Sequence, residues 1–121
     1  MSNNKLLMMI YRMDNLQGCL MLQLQGKKPC KILRILEPLT FAGWIKQLSV
    51  AIDTGADQDC GHDFICEDGR ERRLKCRFVQ EIVALEFFFK QQLRFNWRGT
   101  AHEFRTAVDR MIATLPKFFS F

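Results

Sequence analysis

The strongest constraint on the fold lies in residues 85–98, where apolar and polar side chains alternate. In this stretch, LEFFFKQQLRFNWR, the odd-numbered positions are apolar and the even-numbered ones polar, except at Gln91 and Phe88. Successive side chains of a β-strand point to opposite faces, so the alternation predicts a strand with one buried and one solvated face. A single strand of this length would span roughly 45 Å, and we therefore expect a bend or bulge near Gln91 and Gln92. A helix over residues 81–92 is the second choice, because it would scatter three consecutive Phe side chains around its axis.

The other segments predict short strands and two amphipathic helices. Alternating or continuous apolar runs bounded by turn signals predict strands, and apolar residues at helical spacing predict helices. Thr100 and Glu103 are spaced as a capping box at the start of the second helix. Gly43 lies inside the first helix, where we expect the backbone to approach the sheet closely. The predicted strands are residues 6–11, 16–25, 30–36, 64–66 and 74–79, and the predicted helices are Thr40–Asp53 and Ala101–Leu115.

These elements predict one α+β domain over residues 1–121. Its architecture is an antiparallel sheet of five to six strands with two amphipathic helices packed on one face. A chain of 121 residues has room for a single domain and can bury most of its apolar surface without disulfide or metal staples.

The cysteines and the apolar runs bear on the compartment. Five cysteines are an odd number and lie in apolar segments, which is typical of a reducing compartment, and we expect a cytoplasmic protein. The apolar run Leu6–Ile10 is too short for a secretory signal, and no run approaches membrane-spanning length, so we expect no membrane partner. The sequence has no Gly-rich phosphate-binding motif, and we expect no cofactor.

The net charge of +5 is unevenly distributed. Residues 53–68 hold six Asp or Glu and no Lys or Arg, whereas residues 70–98 hold eight Lys or Arg against three Asp or Glu. We predict an acidic loop from Thr54 to Asp63 and a surface with segregated charge. The candidate binding residues of the acidic loop are Asp57, Asp59 and Asp63.

Cys60 and His62 lie in the same acidic segment. With a nearby Asp they suggest a metal site, or a Cys nucleophile beside a His base. The spacing fits no zinc or calcium pattern, so a solvated loop is the favoured interpretation. We therefore predict no catalytic residue and no metal.

A basic face is the strongest candidate for a binding site. Cations at solvent-side positions of the predicted strands, with an aromatic ring among them, can contact phosphates and stack on bases. Lys and Arg on the outside of a sheet also serve to keep sheets from aggregating, and this simpler interpretation is favoured. The candidate residues are Arg73, Lys75, Arg77, Phe88, Lys90, Arg94 and Arg98.

The chain ends in an aromatic tail with Phe118, Phe119 and Phe121. Three exposed Phe side chains would form an unusual patch on a monomer. We therefore expect the tail to dock on the core of its own chain or across a homodimer interface.

Three hypotheses for function follow. The first is a non-enzymatic protein-binding module, because by layout alone the chain is similar to small bacterial immunity or inhibitor proteins, or to orphan proteins of mobile cassettes. The second is a nucleic-acid-binding protein that uses the basic face. The third is a small enzyme built on Cys60 and His62, and we expect the protein not to be an enzyme.

Overall fold

A computed structural model describes residues 5–14 and 16–115, and the chain there forms an α+β fold with two helices and two antiparallel sheets. The elements in chain order are β1 Leu6–Asp14, β2 Gln17–Leu24, β3 Cys30–Leu36, α1 Pro38–Asp53, β4 Gln58–Phe64, β5 Arg72–Val79, β6 Ile82–Phe89, β7 Gln92–Thr100 and α2 Ala101–Ala113.

The first sheet has the order β1-β2-β3, and its strands are the three N-terminal runs that were predicted as strands. Its buried side chains pair across the strands: Met8 lies opposite Leu22 and Ile10 opposite Leu20. Cross-strand apolar pairs of this kind fix the register, because a slip of one residue would turn them to solvent.

The second sheet has the order β4-β5-β6-β7, and the prediction of one sheet with five to six strands is wrong. The two sheets touch where Ile35 bridges Cys66 and the N–H of Leu36 donates to the carbonyl of Ile65 at 2.8 Å. Helix α1 lies between β3 and β4 in the chain. The series of paired neighbouring strands therefore ends at β3, and a second series begins at β4.

The alternating stretch over residues 85–98 belongs to two strands. β6 ends at Phe89, β7 begins at Gln92, and Lys90 and Gln91 between them have φ values of 52° and 65°. Two consecutive residues with positive φ form the tight turn that suits the twist of a hairpin. The prediction of one long strand with a bend or bulge near Gln91 and Gln92 is therefore wrong, because the chain reverses direction there and forms two paired strands.

The alternation continues across this hairpin because a bulge follows the turn. Next to the turn, Phe88 pairs with Leu93, but one residue further Phe87 pairs with Phe95, so Arg94 is the extra residue of the bulge. Such an extra residue shifts the register by one. From Phe95 onward, odd-numbered residues again face the core, which is why the two strands read as one.

The predicted acidic loop is largely strand β4, which pairs with β5 along its whole length. Cys60 and His62 lie opposite the buried Cys76 and Leu74, so they face inward, whereas Asp59 and Asp63 face outward. The inward and outward side chains of β4 alternate in the sequence as a strand requires. The segment was nevertheless predicted as a loop, because Asp and Gly are poor strand formers. Asp57 precedes β4 and remains in the connection.

The start of α2 matches its predicted signal, whereas α1 begins two residues before the predicted Thr40. In α2 the N–H of Glu103 donates to Thr100 Oγ1 at 3.1 Å and the N–H of Thr100 donates to Glu103 Oε1 at 3.0 Å, which confirms the capping box. Helix α1 begins earlier than predicted, with Pro38 in its first turn.

The two helices pack against each other and against both sheets. α1 contacts β2 and β4, and α2 contacts β1, β6 and β7. On the surface, Lys46 Nζ lies 2.8 Å from Asp109 Oδ1 and Arg105 Nη1 lies 3.2 Å from Asp53 Oδ2, which joins the helices. Buried side chains from both sheets and both helices form one hydrophobic cluster.

Candidate nucleic-acid interface

The structure divides the predicted basic face into two groups. The face of the second sheet that is turned away from the core, here called the outer face, carries the first group, which is Arg73, Lys75, Arg77 and Arg98. Arg94 does not lie with them, because the bulge turns its guanidinium to within 5.8 Å of the Phe89 ring centre. Lys90 Nζ also lies 5.8 Å from that ring centre. Phe89 is on the inner side of the sheet, opposite Arg72.

The cations of the outer face are interleaved with carboxylates. Arg73 Nη1 lies 2.6 Å from Asp63 Oδ1, and Arg77 Nη2 lies 3.9 Å from Asp59 Oδ2. Lys75 is directly opposite Glu86 in the ladder. The acidic and basic segments are therefore neighbouring strands with compensating charges, and the predicted segregation of charge on this surface is wrong.

The second group lies in a groove between the two sheets, here called the Phe89 groove. The groove has a volume of about 530 Å³, within the range of small-ligand sites. One wall comes from the start of β3 and the turn before it, and the other from the ends of β5, β6 and β7. Its lining residues are Lys28, Pro29, Cys30, Lys31, Arg72, Phe87, Phe89, Arg94 and Phe95.

Among the residues that the structure describes, the lining of the Phe89 groove combines four cations with three aromatic rings and includes no Asp or Glu. Phe89 is half-buried, and the guanidinium carbon of Arg72 lies 4.6 Å from its ring centre. A cation at this distance from a ring face is attracted by the ring quadrupole. The groove therefore offers a ring surface held among positive charges.

Arg72 is fixed in place by Asp68, which lies beside the groove. Its Nη1 and Nη2 donate to the two carboxylate oxygens of Asp68 at 2.9 and 3.0 Å, and 14% of its side chain is exposed. These hydrogen bonds hold the pKa of the Asp68 carboxyl well below its usual range. Such a two-point pair orients the guanidinium plane.

The lining holds three further cations, Lys28, Lys31 and Arg94, and Lys90 lies beside the groove near the Phe89 ring. Across residues 5–14 and 16–115, the ion pairs within 4.0 Å involve none of Lys28, Lys31, Lys90 and Arg94. Cys30, which also lines the groove, is a neutral neighbour because burial raises the pKa of its thiol. These four cations remain available to an anionic ligand.

Cys60 and His62 have surroundings that do not favour a thiolate or a metal. Burial, followed by the charge of Asp59, raises the pKa of the Cys60 thiol. The His62 ring lies 5.4 Å from Phe41, 5.2 Å from Trp44 and 5.1 Å from Phe64, measured between ring centres, and burial lowers its pKa. Among the residues that the structure describes, no group of three or more His, Cys, Asp or Glu is placed to hold a metal ion.

The remaining cysteines are dispersed thiols. All five are free, and Cys76, which lies opposite Cys60, is buried, so that desolvation raises its pKa to about 12. A thiol of this kind stays protonated at neutral pH and is a poor nucleophile.

Several residues that line the groove were not predicted as binding residues from the sequence. Lys28 lies in a segment that signals only a turn, and Phe89 occupies a position that the alternation assigns to the core. Arg72 was the residue from which the groove could have been inferred. It is two positions before the buried Leu74 in the same strand, so its charged side chain lies on the inner face at the end of that strand. Such a residue indicates that the inner face opens to solvent there.

Comparisons with protein-family models, with curated proteins and with solved structures found no match to this chain. Function therefore has to be inferred from the side chains of the site. In the described part of the chain, neither helix combines the length and apolar character needed to cross a membrane. The predicted docking of Phe118, Phe119 and Phe121 lies outside the described residues.

Proposed function

We propose that this protein binds single-stranded nucleic acid in the Phe89 groove. The observation that carries the proposal is the half-buried Phe89 ring, with Arg72, Lys90 and Arg94 around it, in a groove whose described lining residues include no Asp or Glu. Proteins that bind single strands without sequence preference combine a positive groove with aromatic rings on which bases stack. The Phe89 groove has both components.

The groove favours a single strand over a duplex. Phe89 is half-buried within the groove, and a base must leave its neighbours to stack on it. Bases in a duplex have both faces covered by adjacent pairs, whereas an unpaired base can insert. Lys28, Lys31 and Arg94 line the same groove and would contact the phosphates on either side.

The other two hypotheses have less support from the geometry. A protein-binding module acting through segregated charge remains a prediction, but the ion pairs of Arg73 with Asp63 and of Arg77 with Asp59 mix the charges on the outer face. An enzyme built on Cys60 and His62 would need a thiolate, and burial opposes one.

The test is binding of a fluorescently labelled oligothymidylate of about 12 nucleotides, a length within the roughly 4–16 nucleotides of known single-strand sites. Phe89→Ala removes the stacking ring, and we expect affinity to fall roughly 5- to 150-fold, the range for the loss of about 1–3 kcal/mol. Fluorescence anisotropy at low salt measures the affinity.

Two matched variants serve as controls. Arg98→Ala removes a cation from the same strand as Arg94 but outside the groove, and Val50→Ala truncates an exposed apolar side chain on α1. Both should bind as the unchanged protein does. The proposal is wrong if the unchanged protein does not bind the oligonucleotide, or if Phe89→Ala folds normally and binds with the same affinity.

A further inference from the structure

Phe88 and Phe89 are consecutive aromatic residues on opposite faces of the second sheet. Phe89 lies opposite Arg72 on the inner side, and Phe88 lies opposite Arg73 on the outer side. Both rings are half-buried and both precede the β6–β7 turn at Lys90. The end of the hairpin therefore presents a partly exposed ring on each of its two sides.

The outer ring has a cavity of its own. Its volume is about 420 Å³, and it is lined by Glu71, Arg73, Lys75, Phe88 and Gln91. The Nζ atom of Lys75 lies 5.3 Å from the centre of the Phe88 ring, so the outer cavity repeats the pairing of ring and cation in the Phe89 groove. Glu71 is the acidic residue of this lining.

The β6–β7 turn joins the two cavities. Lys90 lies over the Phe89 ring, and its neighbour Gln91 lines the outer cavity. The N–H of Lys90 donates to the carbonyl of Glu71 at 3.1 Å, which fixes the turn to the chain before β5. The side chains of Lys90 and Gln91 therefore place hydrogen-bond donors between the Phe89 ring and the Phe88 ring, around the end of the hairpin.

We propose that a single strand bound in the Phe89 groove continues over the β6–β7 turn and stacks a further base on Phe88. This inference rests on the proposed function and makes the ligand a polymer instead of a free nucleotide. A mononucleotide could occupy the Phe89 groove alone, whereas both rings can be used together only by a strand that passes the turn. Binding should therefore depend on the length of the strand.

The experiment compares thymidine monophosphate with oligothymidylates of increasing length up to about 12 nucleotides, within the range of known site sizes of roughly 4–16. We expect the affinity of the unchanged protein to rise with strand length in two steps. The first rise comes when a strand fills the Phe89 groove, and the second at the length that first reaches Phe88. Phe88→Ala should abolish this second rise, lowering the affinity for the longest strand roughly 5- to 150-fold while leaving the shortest strands unaffected. Lys75→Ala, at an exposed position, should reduce the second rise without affecting the core.

The outcomes separate the two proposals. If no strand binds, or if binding does not need Phe89, the proposed function is wrong and this inference with it. If binding needs Phe89 but reaches its maximum with the mononucleotide or the shortest strands, and Phe88→Ala and Lys75→Ala match the unchanged protein at every length, the inference alone is wrong. Arg98→Ala should follow the unchanged protein throughout.

Discussion

At the scale of single residues, His62 shows how burial governs a titratable group. Its ring lies among Phe41, Trp44 and Phe64, and this desolvation lowers its pKa below the value of 6.5 for a solvated His. In the unfolded chain the ring regains water and takes up a proton more readily. The unfolded state therefore binds more protons than the folded state once the pH falls below about 6.5.

We predict that this difference makes the protein less stable in mild acid. The free energy of unfolding should fall as the pH drops through 6.5 and continue to fall until the folded-state pKa of His62 is passed. His62→Phe keeps a ring in the aromatic cluster but cannot be protonated, so its stability should fall less over the same interval. Urea denaturation of both proteins at pH 7.5 and at lower pH measures the difference, and equal pH dependence would contradict the prediction.

At the scale of elements, helix α1 contains a glycine without a packing role. We expected Gly43 to mark a close approach of the helix to the sheet, and this is wrong, since a β-carbon built there would meet no described atom within 4 Å beyond its chain neighbours and the backbone of its own helix. Gly in a helix interior costs about 1 kcal/mol relative to Ala. Gly43→Ala should therefore stabilise the protein by up to about 1 kcal/mol, measured by urea denaturation.

The same substitution at Gly99 is the matched control for Gly43→Ala. A β-carbon at Gly99 would clash with the buried ring of Trp97, so Gly99→Ala should destabilise the protein by about 1–3 kcal/mol. A loss of stability in Gly43→Ala, or equal effects of the two changes, would show that the environment of α1 is not as described.

Local signals predicted most elements, and tertiary pairing decided the rest. The capping box of Thr100 and Glu103 and the three N-terminal strands depend on residues close in sequence, and both predictions are confirmed. Strand β4 was missed because its Asp and Gly residues gain their strand conformation from pairing with β5. The Phe89 groove was not predictable as a whole, since Lys28 and Lys31 come to line the same groove as Phe89 only through the approach of two separate sheets.

At the scale of the whole molecule, the distribution of charge matters more than its sum. The net charge is +5, but the outer face pairs Arg73 with Asp63 and Arg77 with Asp59, whereas the described lining of the Phe89 groove contains no carboxylate side chain. Electrostatic attraction of a polyanion should therefore arise mainly at the groove, with a contribution from Lys90 beside it.

This distribution predicts the salt dependence of binding. If Lys28, Lys31, Lys90 and Arg94 each neutralise one phosphate, the logarithm of the affinity should fall with the logarithm of salt concentration with a slope of about −3, because each contact to a single strand contributes about −0.7. Arg94→Ala should make the slope shallower by about 0.7, and Arg98→Ala should leave it unchanged. Anisotropy titrations at several salt concentrations measure the slope, and a slope near zero would contradict electrostatic binding.

The bulge at Arg94 also determines which changes of length the chain can accept. Deletion of Arg94 itself would remove the extra residue of the bulge and leave Trp97 opposite Leu85 on the core side. Deletion of Asn96, which lies beyond the bulge, would turn Trp97 to the outer face while the bulge remains. A loss of one residue should therefore be tolerated at the bulge and not beyond it.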